Sequence, residues 1–124
     1  MLGLTYKPNT DTLRRSESVA LCRWLGEQGA TVRAHDPVIH EQSAELPAGV
    51  VLCASADEAI AGADAIVVAT EWPAFRALTA DKILAAAPHA VVLDANRFLA
   101  GALAGDGRLR YAAVGTPPGP KAGG

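Results

Sequence analysis

Leu2-Gly3-Leu4-Thr5-Tyr6-Lys7-Pro8-Asn9-Thr10-Asp11-Thr12-Leu13-Arg14-Arg15-Ser16 is the stretch on which the reading of this chain turns. It opens as a short apolar strand and becomes a polar loop carrying Lys7, Arg14 and Arg15. It ends at Ser16, which can cap the amphipathic segment that follows. Pro8 disfavours helix at Lys7, and the Asn, Thr and Asp residues favour local turns. A strand, a cationic loop and a helix N-terminus in that order make an anion site, because backbone N–H groups and the helix dipole face the ligand and the cations add charge. A phosphate-bearing ligand is expected here, with Lys7 as a compact cation and Arg14 as a bidentate grip.

Outward from this stretch the chain alternates between two periods. Residues 16–28 read as a helix, with Val19, Cys22 and Leu25 on one apolar face and Gly29 placed to stop it. Strands are expected at 1–6, 31–35, 50–54, 65–70, 91–94 and 110–114. Ser55-Ala56-Asp57-Glu58 fits a capping box for a short helix, 73–78 allows one helical turn, and Thr79 can cap a helix running to 87. Residues 38–46 carry little pattern, 96–107 suggest a loop with a brief helix, and the domain is expected to cover 1–115 with a flexible Pro/Gly-rich tail over 116–124.

Strands that read as continuous apolar runs between helices predict an α/β fold, a Rossmann-like three-layer sandwich with a mainly parallel sheet of about six strands. Such sheets bind ligands outside the carboxyl ends of their strands, where the strand order switches. Lys7, Asp36, Glu71 and the Asp94-to-Arg97 turn all follow predicted strands and converge there.

A formal net charge of −2 argues against a nucleic-acid or membrane surface, which would need a basic excess. The two cysteines, Cys22 and Cys53, sit within apolar segments and read as buried reduced thiols, too few and too far apart for a disulfide framework or a metal site. No signal peptide opens the sequence and no apolar run reaches membrane-spanning length, so a cytoplasmic location is expected.

The first turn lacks Gly-x-Gly-x-x-Gly. Asp36 stands where an acidic ribose ligand would lie, although an Asx-turn before Pro37 accounts for it well. Tyr6 could stack on a base or ribose or end its strand in the core. Trp72 and Phe75 read as a hydrophobic plug rather than a base platform. No Ser/His/Asp order, close carboxylate pair or metal-ligand spacing is present, and His35, His40 and His89 are scattered. The chain alone does not read as a complete enzyme.

Four segments together resemble the C-terminal domain of the UDP-glucose/GDP-mannose dehydrogenase family. They are Gly3-Leu4-Thr5-Tyr6-Lys7-Pro8-Asn9-Thr10-Asp11 continuing through Leu13-Arg14 to Ser16 and Ser18; Gly29 to Pro37; Ala63-Asp64 through Thr70-Glu71-Trp72 to Phe75; and Val91-Val92-Leu93-Asp94-Ala95-Asn96-Arg97. The resemblance implies an enzyme that oxidises the hydroxymethyl carbon of a nucleotide-diphospho-sugar to a carboxylate while reducing two NAD molecules. It implies that Tyr6 and Lys7 contact the nucleotide sugar and that Arg14 lies toward NAD.

Two positions depart from the family pattern. Asn96 stands where many members place an arginine that reaches the nucleotide sugar, so Arg97 is the substitute expected here, and Arg15 replaces a usual acidic residue. The family's catalytic cysteine and glycine-rich NAD loop belong to segments upstream of the matching region, so no residue of this chain is expected to be catalytic. The expected partners are a UDP-sugar and the N-terminal and middle dehydrogenase domains. The alternative is a non-catalytic nucleotide-binding module or an inactive remnant of such an enzyme.

Overall fold

The computed structural model describes residues 1–5, 13 and 16–113. Five strands are present: β1 (Arg33–Ala34), β2 (Val51–Leu52), β3 (Ala65–Val68), β4 (Val91–Asp94) and β5 (Arg110–Ala112). β1 pairs parallel with β2, and β3, β4 and β5 pair parallel in that order. Leu2 joins the two ladders by bridging in parallel to His35 on one side and Val68 on the other. The Leu2 N–H donates to Val67 O at 2.8 Å, and Leu2 O accepts from Ala69 N at 2.8 Å.

The spatial order is therefore β2, β1, Leu2, β3, β4, β5, the doubly wound arrangement with its switch point at Leu2. The α/β class and parallel sheet agree with expectation, but the predicted first strand is corrected. Only Leu2 of residues 1–5 makes the sheet pairing, because Gly3 turns the chain at φ +98° and the N–H groups of Leu4 and Thr5 leave the ladder for a side chain.

The helices follow the local signals. In α1 (Glu17–Glu27) the Ser16 hydroxyl accepts from Val19 N at 3.3 Å. Gly29, at φ +91°, ends α1 in a Schellman motif, with Gly29 N donating to Gly26 O and Ala30 N to Leu25 O. Ser55 caps α2 (Ala56–Ile60) through Glu58 N, and Thr79 caps α3 (Ala80–Ala86) through Lys82 N. A 3₁₀ turn spans Pro73–Ala77, and α4 covers Ala100–Leu103. Residues 38–46 form turns without a helix.

The core divides at the sheet. On one face Ile66, Val68 and Val92 pack with Ile60, Phe75, Ile83 and Leu103 from α2, the 3₁₀ turn, α3 and α4. On the other, α1 contributes Val19 and Cys22 against Leu4, Val32, Ala34 and Val50. The expectation of a sheet covered on both faces holds only in part. On the α1 face Leu93 of β4 is 39% exposed, and a groove of about 810 Å³ opens among Leu21, Trp24, Leu25, Val67 and Leu93.

Candidate functional site

At the switch point residues 3–5 have every backbone polar group bonded. Gly3 N donates to His35 O at 2.8 Å, and Gly3 O accepts from the Ser18 hydroxyl. Leu4 N donates to Asp36 Oδ2 at 2.8 Å, and Leu4 O accepts from Ser16 Oγ at 2.6 Å. Thr5 N donates to Asp36 Oδ2 at 3.0 Å, and Thr5 O accepts from Thr70 Oγ1 at 2.9 Å. The partners come from the carboxyl ends of β1 and β3 and from the start of α1, three places far apart in sequence.

Asp36 is the centre of this knot and is fully buried. Besides the two backbone N–H groups, Oδ2 accepts from Thr5 Oγ1 at 3.0 Å and from the Trp72 indole N–H at 3.1 Å. Oδ1 accepts from Val38 N at 3.0 Å, closing the Asx-turn that the Asp-Pro pair suggests. The ion pairs among the described residues are those of Arg108 with Asp81 and Asp106, so the charge of Asp36 is met by N–H and O–H donors. The structural reading of Asp36 is the one realised. Trp72 and Phe75 are likewise buried as a plug, at 8% and 1% exposure.

A second buried carboxylate shapes the turn after β4. Asp94 accepts from Phe98 N at 3.0 Å, Leu99 N at 2.6 Å and the Tyr111 hydroxyl at 2.8 Å. Arg97 stands exposed on that turn in the left-handed region at φ +59°, with its N–H on Asp94 O at 3.1 Å. The Arg76 guanidinium lies 4.2 Å from the Phe98 ring centroid, placing a second exposed cation beside the turn at the carboxyl edge of the sheet.

Of the residues singled out in sequence, Tyr6, Lys7 and Arg14 lie outside the described residues, as does the expected tail. Arg97 is at the carboxyl edge as expected, and Glu71 is half-buried after β3. Cys22 and Cys53 are free and buried, and burial pushes both thiols up from the ordinary cysteine range. His35 Nδ1 lies 3.0 Å from Cys53 O, and its ring meets Phe75 edge-on. Among the described residues no group of three or more His, Cys, Asp or Glu could hold a metal, and no helix is long and apolar enough to cross a membrane.

Sequence reasoning missed Thr5, Thr70 and Tyr111 as partners of this polar framework. A signal existed for Trp72, since a buried indole N–H needs an acceptor.

The described residues do not fit the adenosine half of a dinucleotide. The missing Cβ of Gly3 is used by Thr70, whose Cβ would lie 2.4 Å from it. Asp36, the position of a ribose acceptor, has both oxygens occupied and no exposed surface.

Residues 1–101 match the model of the UDP-glucose/GDP-mannose dehydrogenase family, UDP binding domain. The chain is 36% identical over 117 residues to a UDP-glucose 6-dehydrogenase of Rhizobium meliloti, covering 94% of this chain and 27% of that protein. It is 38% identical over 99 residues to the corresponding enzyme of Haloferax volcanii, covering 80% and 23%. The fold matches the solved structure of a UDP-D-ManNAc dehydrogenase from Pyrococcus horikoshii with a TM-score of 0.70 and 26% identity, over 92% of this chain and 24% of that one. The chain thus spans about a quarter of the length of these relatives.

Proposed function

The chain belongs to the UDP-glucose/GDP-mannose dehydrogenase family, and on that premise we propose that it binds the nucleotide diphosphate of a UDP-sugar for a cytoplasmic, NAD-dependent 6-dehydrogenase. The domain is proposed to cover residues 1–115, with 116–124 as a tail. The observation that carries this reading is the match to the family's UDP binding domain over 1–101, which includes the cationic stretch that follows the switch point.

Tyr6 and Lys7 contact the nucleotide sugar, Arg97 reaches it from the turn after β4, and Arg14 faces NAD. When bound, NAD accepts the hydrides by which the sugar hydroxymethyl becomes a carboxylate. The described residues of this chain build no adenosine site, which supports a reading in which NAD is held mainly by an N-terminal dinucleotide-binding domain and the reactive cysteine comes from another segment upstream of this region. The role left to this chain is to grip the diphosphate and orient the sugar. Cations and N–H donors at a partly desolvated diphosphate are suited to that.

Calorimetric titration with UDP-glucose, GDP-mannose and NAD at low salt tests the proposal. UDP-glucose is expected to bind and GDP-mannose to bind more weakly. Lys7→Ala should cost about 1.5–3 kcal/mol, the worth of a hydrogen bond to a charged group. Undiminished binding by both Lys7→Ala and Arg14→Ala would show that the anion lies elsewhere.

A further inference from the structure

The carboxyl edge of the sheet carries an exposed cation held by an aromatic ring rather than by a carboxylate. Arg76 lies on the 3₁₀ turn Pro73–Ala77, which follows β3, the strand that pairs with Leu2 at the switch point. Its guanidinium sits over the Phe98 ring, 4.2 Å from the centroid. A ring face attracts the charge but accepts little from the N–H donors of the fork. Among the described residues both ion pairs belong to Arg108, and no acceptor is hydrogen-bonded to the Arg76 guanidinium.

Both halves of this contact are anchored from beneath. Phe75, beside Arg76, is 1% exposed, and the turn is closed by Phe75 N on Trp72 O and Leu78 N on Phe75 O, each at 3.0 Å. The Trp72 indole N–H is fixed on Asp36, and Phe98 N donates to Asp94 Oδ1 at 3.0 Å. The cation and its platform are therefore each tied to one of the two buried carboxylates. Asp36 and Asp94 spend their oxygens on N–H and O–H donors of the fold, so neither neutralises Arg76. Glu71, half-buried before the same turn, makes no ion pair with it.

We propose that Arg76 is a further anion-contact residue of the nucleotide site, gripping the diphosphate of the nucleotide sugar, with Phe98 as its positioning residue. This deepens the function proposed above and rests on it. The loop after a strand that flanks the switch point borders the crevice in which a parallel sheet takes its ligand. A planar fork with unspent donors matches the paired oxygens of a phosphate. Holding that fork on a ring before the ligand arrives lowers the ordering cost of binding.

The test measures affinity for UDP-glucose and for UDP by calorimetry on the full chain, with Arg76→Ala, Phe98→Leu, Phe98→Tyr and Arg110→Ala. Arg110 is exposed and opens β5 at the opposite edge of the sheet, so its loss removes the same charge away from the site. Arg76→Ala is expected to weaken both ligands about tenfold and Phe98→Leu about fivefold, with Phe98→Tyr and Arg110→Ala within about twofold of the parent. The urea midpoint of Arg76→Ala is expected to match the parent.

Parent-like affinity in Arg76→Ala overturns the contact and leaves the proposed function standing. An equal loss in Arg110→Ala overturns it as an effect of net charge, and a lowered urea midpoint in Arg76→Ala overturns it as destabilisation. A loss seen with UDP-glucose but not with UDP overturns the assignment to the diphosphate. Parent-like binding by Phe98→Leu overturns the role of the ring. A folded parent that ignores UDP-glucose overturns the proposed function, and this contact with it.

Discussion

The Tyr111 hydroxyl donates to Asp94 Oδ2 at 2.8 Å, tying the last strand to the turn that carries Arg97. Burial, and then this bond to a carboxylate, push the phenol well above its ordinary value of 10.0. The buried thiols of Cys22 and Cys53 are pushed above 9.0 in the same direction. All three groups stay neutral in the folded chain while the unfolded chain begins to lose their protons. Their contribution to stability is therefore present below the ordinary thiol value and falls as pH rises past the ordinary thiol and phenol values. Urea midpoints measured from pH 7 to 11 should show that fall. Tyr111→Phe should lower stability by about 1–3 kcal/mol at pH 7 by leaving Asp94 short of a donor, and should flatten the part of the slope above about pH 10. A parent midpoint that stays level to pH 11 would contradict this account.

Gly3 is required twice over. Its φ of +98° disfavours any side chain, and a Cβ would stand 2.4 Å from Thr70 Cβ and 2.6 Å from Thr70 N. Gly3→Ala should cost more than the roughly 1–2 kcal/mol of left-handed strain alone. Because a backbone nitrogen is among the atoms met, Gly3→Ala with Thr70→Gly should recover only part of the loss. Full recovery in urea unfolding would place the clash in the Thr70 side chain alone.

Arg97 separates backbone from binding. Arg97→Gly and Arg97→Ala both remove the guanidinium, but only alanine must hold φ +59° against its own Cβ. Glycine should be the more stable of the two by about 1 kcal/mol. Both should weaken UDP-glucose binding equally if the guanidinium contacts the ligand. Equal stability would indicate that the turn relaxes on substitution.

The helix caps give a stability effect distant from the switch point. Ser55→Ala and Thr79→Ala each remove the acceptor of the third helical residue's N–H and should cost about 0.5–2 kcal/mol in urea unfolding. Neither should change nucleotide affinity by more than about twofold, since each hydroxyl bonds only within its own cap and to none of residues 3–5, Asp36 or Asp94.

Local chemistry was legible wherever its partners lie within a few residues. Ser16, Ser55 and Thr79 cap the helices they precede, Gly29 stops α1, and residues 91–94 form a strand over the range read from their apolar run. Asp36 was half legible. Its Asx-turn to Val38 spans two residues and could be read, but its donors on Leu4, Thr5 and Trp72 lie 31 to 36 residues away. The cationic stretch, by contrast, was read from charge and turn chemistry, and its role remains the one proposed from the family.

The sequence by itself determined the alternation of strand and helix, the helix boundaries and the family, because hydrophobic period, caps and motif spacing are written within short windows. Only the tertiary structure decided that Leu2 is the central element, that the chain leaves the sheet at Gly3, and that Asp36 serves the backbone rather than a ribose. It also decided that one sheet face is left partly open beside Trp24 and Leu93. Each of these depends on which distant atoms meet, and a buried donor or acceptor takes whichever partner the packed fold brings within about 3 Å.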